Sequence, residues 1–219
     1  MAIRAVLLDA AGTLLHFDDP AARLHALLAR EGLDNPPEAV GRALAAEVAH
    51  YRAHMGAARD MPALERLRDE CARIFAGALP DPPSPPRARE AVLGVLRAVP
   101  FPDVPGVLDA LAGAGVRLGV VSNWDITLDD RLRELGLRDR FGVVVASAAA
   151  GVAKPDPAIY RAALDALGVT AVEALFCGDD AANDVEAPAA LGMRAVLVDR
   201  AGRAPGSIPD LTPLPAMVA

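Results

Sequence analysis

Apolar residues follow two different rhythms along this chain. Near the start and again from about residue 104 onward they form short unbroken runs: AVLL at 5–8, LGVV at 118–121, VVVA at 143–146, ALFC at 174–177 and AVLV at 195–198. Runs of four or five apolar residues read as strands buried on both faces. Between them the apolar positions recur at three- and four-residue intervals, predicting helices over 107–114, 129–137 and 157–167 and a helix end at 189–191. Strands alternating with helices of this length make β-α-β units, hence a parallel sheet covered on both faces. From residue 18 to about 100 only the helical rhythm is present, predicting helices over 18–31, 37–55, 62–79 and 87–99. Pro20, Pro37 and Pro62 fall in first turns, where a missing N–H costs nothing. PDPPSPP at 80–86 predicts an extended polyproline connector, and PFPDVP at 100–105 a hinge. The expectation is an α/β fold: a Rossmann-like parallel sheet flanked by helices, built from 1–17 and 101–219, with an all-helical insert over 18–100. The proline-rich stretch 202–219 predicts a loosely packed tail.

Composition narrows the partners. The chain has 219 residues, 53% of them hydrophobic, enough for a sizeable core. Its net charge of −7 argues against nucleic acid or an anionic membrane as partner, so a small molecule is expected. An anionic substrate then needs a local positive site. Cys71 and Cys177 form no metal or redox spacing, the first apolar run is too short for a secretory signal, and no stretch is long enough to span a bilayer. These features predict a cytoplasmic protein and leave the oligomeric state open. All basic residues but Lys154 are arginine, and a compact ammonium is what arginine cannot imitate.

The candidate chemistry lies at the carboxyl ends of the predicted strands, where open α/β sheets bind ligands. The first strand ends in Asp9, followed by Ala10-Ala11-Gly12-Thr13; the second of the sheet ends in Ser122-Asn123-Trp124-Asp125. The next loops carry Lys154 in AKPDP and Asp179 to Asp184 in GDDAAND. Taken singly, Asp9 and Thr13 read as a strand cap and turn, Ser122 as a helix cap, Lys154 as a solvated loop residue and Asp179–Asp184 as a helix start. Together they gather Asp9, Thr13, Ser122, Lys154, Asp179 and Asp184 on one edge. That set holds a nucleophile, donors for an oxyanion and carboxylates for a hard cation such as Mg²⁺.

On these motifs the chain resembles the haloacid dehalogenase superfamily of hydrolases over nearly its whole length. Asp9, Gly12 and Thr13 match the first motif, Ser122 the second, Lys154 before Pro-Asp-Pro the third, and GDDAANDVEAPAALGM the acidic fourth. The helical insert resembles the family's helical cap. The resemblance implies attack by Asp9 on phosphorus, giving an aspartyl-phosphate that water hydrolyses. It implies Mg²⁺ held by Asp9, the Ala11 carbonyl and Asp179, with Asp184 in support, and phosphoryl oxygens held by Thr13, Ser122, Asn123 and Lys154 beside Gly12. The substrate would be a small phosphorylated molecule.

One position departs from the pattern. The family's second Asp, an acid–base group worth ~10²–10⁴-fold, is replaced by Ala11. Asp18, Asp19, His50 and His54 are candidate substitutes that nothing in the sequence places. The rival resemblances are a metal-free 2-haloacid dehalogenase, with Arg23, Arg52 or Arg59 for a substrate carboxylate, and a protein that binds a phosphorylated ligand without turnover. Dehalogenases generally have Ser where this chain keeps Asp179. Phosphonoacetaldehyde hydrolase also carries Ala in the Ala11 slot but needs a lysine in its cap, and the only lysine here is Lys154.

Overall fold

The structure is a computed structural model that describes residues 2–218. In chain order it has strands β1 (Ala5–Leu8) and β2 (Leu15–Phe17), then helices α1 (Pro20–Arg30), α2 (Pro37–His54), α3 (Met61–Gly77) and α4 (Pro85–Val95). There follow β3 (Ala98–Pro100), α5 (Val104–Gly113), β4 (Arg117–Ser122), α6 (Leu128–Glu134), β5 (Val143–Ala146) and α7 (Ser147–Ala150). The last part comprises α8 (Pro157–Leu167), β6 (Ala174–Gly178), a π-helical turn (Ala181–Glu186), α9 (Ala187–Ala190), β7 (Arg194–Leu197) and α10 (Leu214–Val218). The chain divides into two compact units, Met1–His16 with Val99–Ala219, and Phe17–Ala98.

The first unit is built on a five-stranded parallel sheet of order β5-β4-β1-β6-β7. β1 is central and buried at every residue because it has neighbours on both edges and helices on both faces. Its register pairs Leu8 with Val120 of β4 and with Cys177 of β6. Helix α8 closes one face, packing Ile159, Tyr160, Ala163 and Leu164 against Leu7, Val121 and Phe176. Burial of such side chains is worth roughly 1.5–3 kcal/mol each. Asp156 starts the helix by accepting the Ala158 N–H at 2.8 Å, and Gly168 ends it in the left-handed conformation.

The second unit is four helices around their own core, with Leu24 and Leu28, Val40 and Ala43, Phe75 and Ala76, and Ala88 and Val92 facing inward at helical spacing. Asp60 caps α3 by accepting the Ala63 N–H at 2.7 Å. Asn35 and Asp81 tie two loops together: the Asn35 amide donates to the Asp81 carbonyl at 2.7 Å and accepts the Asp81 N–H at 3.0 Å. Glu47 is buried here, and desolvation raises its carboxyl pKa.

Several local expectations are corrected. The polyproline connector is shorter than 80–86, because Pro85 and Pro86 form the first turn of α4, where no backbone donor is needed. That helix ends at Val95 rather than continuing to 99, and Ala98–Pro100 instead pairs as a strand with Leu15–Phe17. The segment after residue 202 is not loose: Ile208, Leu211, Leu214 and Val218 are buried, and Ile208 forms a bridge with Val198. Its prolines mask an apolar spacing of three to four residues; Ala219 lies outside the described residues. Among the described residues no helix is long and apolar enough to cross a membrane.

Candidate active site

Asp9 follows the end of β1 directly and is held there by its N–H, which donates to the Cys177 carbonyl of β6 at 3.0 Å. The loop then folds back on itself: Leu14 and Leu15 N–H donate to the Ala10 carbonyl, and Gly12 N–H to the Leu15 carbonyl. Gly12 has φ +81°, and a β-carbon there would overlap the Asp179 carboxylate. Only glycine satisfies both conditions. Thr13, fully buried, reaches Asp179 Oδ1 with its hydroxyl at 3.5 Å. Ser122 is buried at the end of β4, two residues beyond the partner of Leu8 and so level with the start of the Asp9 loop.

Lys154 comes from the loop after α7 and carries the centre of the site. Its ammonium donates to Asp9 Oδ1 at 2.6 Å and to Asp184 Oδ1 at 2.7 Å. Burial works against the charged amine, but the two carboxylates outweigh it and hold its pKa above the ordinary lysine value. Asn123 positions this lysine through the backbone, accepting the Lys154 N–H at 2.8 Å and donating to its carbonyl at 3.0 Å. The Asn123 side chain, expected at phosphoryl oxygens, is therefore engaged with the lysine loop.

The acidic loop is shaped by the π-helical turn. Asp184 Oδ2 accepts the Asp180 N–H at 3.1 Å, and Asp180 accepts the Asn183 N–H at 3.0 Å. The Tyr160 hydroxyl donates to the Asn183 carbonyl. This arrangement brings the Asp184 side chain against the backbone of Gly178, where a β-carbon would overlap it. Asp179 is exposed on its outer side, yet desolvation and the neighbouring Asp9 charge push its pKa up to about 6. Desolvation and Asp9 raise Asp184 as well.

Carboxylate oxygens of Asp9, Asp179 and Asp184 lie within 4.8 Å of one another. Three carboxylates face one ammonium, so the cluster keeps an excess of negative charge, which adds to desolvation in raising the Asp179 and Asp184 pKa values. Hard oxygen donors with uncompensated charge fit a divalent cation such as Mg²⁺.

Two features escape a reading of the sequence. Gly178 is needed for the approach of Asp184; its signal was a glycine directly before the acidic pair. The second is a clamp on the Asp9 loop. Arg200 donates to the Thr13 carbonyl at 2.7 Å and to both oxygens of Asp103 at 2.9 and 3.2 Å, while its guanidinium lies 3.5 Å from the centre of the Phe101 ring. No motif marks Arg200, because its partners are scattered along the chain.

Known proteins share this architecture. Residues 3–192 match the family model of haloacid dehalogenase-like hydrolases. The phosphoglycolate phosphatase of Rhodospirillum rubrum is 34% identical over 203 residues, 89% of this chain and 79% of that protein. The phosphoserine phosphatase of Thermus thermophilus is 36% identical over 147 residues, 64% of this chain and 59% of that protein. Phosphatase MT3486 of Mycobacterium tuberculosis is 39% identical over 121 residues, 54% of this chain and 55% of that protein. The chain thus spans about half the length of the first curated relatives it matches. Among solved structures, the L-2-haloacid dehalogenase of Xanthobacter autotrophicus superposes with TM-score 0.71 at 22% identity, covering 99% of this chain and 98% of that one. A phosphatase from Thermococcus onnurineus gives 0.67 at 23%, with 99% and 98% covered. At such identities the structures testify to the fold alone. With the family model covering most of its length and the motif residues gathered at one sheet edge, the chain belongs to the haloacid dehalogenase-like hydrolases.

Proposed function

We propose that the protein is a Mg²⁺-dependent phosphatase that transfers the phosphoryl group of a small molecule through Asp9. The observation that carries this reading is the Asp9–Lys154–Asp184 chain of hydrogen bonds beside Asp179, a nucleophile, a cation and two further acids in one cluster. Lys154 occupies Oδ1 of Asp9, and Oδ2 attacks phosphorus. The ester P–O bond breaks, and the leaving oxygen takes its proton from solvent, since Ala11 has none to give. Water then attacks the aspartyl-phosphate, its proton passing to solvent, and phosphate and free Asp9 result. Thr13, Ser122 and Lys154 donate to the phosphoryl oxygens. Asp9, Asp179, Asp184 and the Ala11 carbonyl would hold Mg²⁺, which when bound supplies positive charge against the phosphate. The helical unit, inserted in sequence just after the nucleophile loop, serves as the substrate-selecting cap. The phosphatase names among the relatives support this reading.

Single-turnover assay with an acyl phosphate and Mg²⁺ tests it: phosphate release should require both the metal and the Asp9 carboxylate, and Asp9→Asn should abolish it. Saturable binding without release would instead indicate a phospho-ligand-binding protein. Chloride release from a 2-haloacid without added metal would indicate a dehalogenase.

A further inference from the structure

The π-helical turn of the acidic loop leaves one carbonyl without its usual partner. At its end the Ala187 N–H donates to the Ala182 carbonyl, five residues back, as in a π-helix. In an α-helix that N–H would serve the Asn183 carbonyl. The next residue, which could take its place, is Pro188, and proline has no N–H to give. Both helical donors of the Asn183 carbonyl are thus missing, and the Tyr160 hydroxyl supplies the hydrogen bond instead. Tyr160 projects from α8, fully buried, with its ring edge-on to Phe176 at 5.5 Å between centres and 75° between planes. A ring locked in this way delivers its hydroxyl to one point. The residue after Asn183 is Asp184, only 1% exposed, whose two carboxylate oxygens accept Lys154 at 2.7 Å and the Asp180 N–H at 3.1 Å. Lys154 and Tyr160 thus come from one segment, KPDPAIY, and grip neighbouring residues of the acidic loop.

We infer that Tyr160 is a positioning residue for the reacting cluster: its hydroxyl holds the π-helical register in which the Asp184 carboxylate meets Lys154. A carbonyl left without a donor away from water costs free energy. Without the hydroxyl, the Asn183 carbonyl regains a partner most directly by taking the Ala187 N–H, which closes the turn to the α-helical pattern. That closure rotates Asp184 about the helix axis and breaks its 2.7 Å bond to the ammonium. The partner of the hydroxyl is a backbone carbonyl, so Tyr160 acts through the placement of Asp184. Where Asp184 serves Mg²⁺ this role rests on the phosphatase reading; where Asp184 holds Lys154 it does not.

Tyr160→Phe keeps the ring and its packing and removes the hydroxyl alone. Lys154 is the only lysine, so isotope labelling of lysine nitrogen gives a single side-chain ammonium signal by NMR from the middle of the cluster. In Tyr160→Phe, exchange of these ammonium hydrogens with water should quicken about 2- to 10-fold, the weight of one neutral hydrogen bond. Mg²⁺ affinity by calorimetry should fall by a similar factor, and kcat for an acyl phosphate with it. Ile159→Val trims the same helix and the same core without touching the turn, and should leave all three at wild-type values. Wild-type ammonium exchange in Tyr160→Phe would overturn the assignment. So would equal changes in both variants, which would show that core packing alone is felt. If the wild-type protein neither binds Mg²⁺ nor releases phosphate, the phosphatase reading fails, and the ammonium signal still decides the role of Tyr160.

Discussion

Lys154 Nζ lies 2.6 Å from Asp9 Oδ1, with the two side chains only 3% and 9% exposed. A charge pair so far from water must be complete, because removing one partner leaves the other buried and uncompensated. Lys154→Met should therefore cost about 3–5 kcal/mol of folding stability, measured by urea denaturation. Adding Asp9→Asn to it should recover part of that loss by removing a stranded negative charge. Lys154→Arg should also lose activity, since a planar guanidinium cannot occupy the site of a compact ammonium bonded to both Asp9 and Asp184.

Gly178→Ala tests how the acidic loop is held. The new methyl group would overlap the Asp184 carboxylate, so the turn must shift. The expected outcome is a stability loss of about 1–3 kcal/mol together with weaker Mg²⁺ binding by calorimetry. Asp179→Asn, which removes a charge without adding bulk, should weaken Mg²⁺ binding while stability changes far less. Unchanged Mg²⁺ affinity in both variants would place the metal elsewhere.

Restoring a carboxylate with Ala11→Asp should accelerate alkyl phosphates by roughly 10²-fold or more. Acyl and aryl phosphates, whose leaving groups need little protonation, should gain much less. Rates on paired substrates at saturating Mg²⁺ decide this; an equal gain for both would mean that the new acid acts through the metal.

The Arg200–Asp103 pair predicts an acid-sensitive contribution to stability. Burial works against the Asp103 carboxylate, but Arg200 and the Leu211 N–H overcome it and hold the pKa below its ordinary 3.8. The folded-state value is depressed, so the stabilisation is present above pH 3.8 and is lost as pH falls through the lower folded value. Asp103→Asn should cost about 1.5–3 kcal/mol at pH 7, and thermal melts of variant and wild type should converge only as pH falls below 3.8 and through the lower folded value.

Glu47 carries the opposite sign. Its folded pKa is raised above 4.5 by burial, so its charged form disfavours folding once pH exceeds that value. Glu47→Gln should raise Tm at pH 8 and do so less at pH 4. A chain of this size gains about 2–4 °C per kcal/mol. A Tm difference independent of pH would show that packing rather than charge decides the change.

The hydrophobic pattern of this chain determined the kinds of elements and which polar residues stand at the strand ends. Apolar runs of four or five residues bounded by Asp9, Ser122 or Gly178 read as buried strands by their length and their polar or glycine ends, and helix 157–167 was delimited by Pro157 and Gly168. Those signals are local: period, caps and breakers act within a few residues. What the tertiary structure decided is non-local. Lys154 meets Asp9 across 145 residues and Arg200 meets Thr13 across 187 because sheet order and loop conformation bring them together. The π-helical turn that presents Asp184 depends on the space left by Gly178, and the burial of Ile208, Leu211 and Leu214 on surfaces supplied from earlier in the chain. Periodicity records which face of an element is apolar; it carries no record of which other element will cover that face, since packing is settled only when the whole sheet has formed.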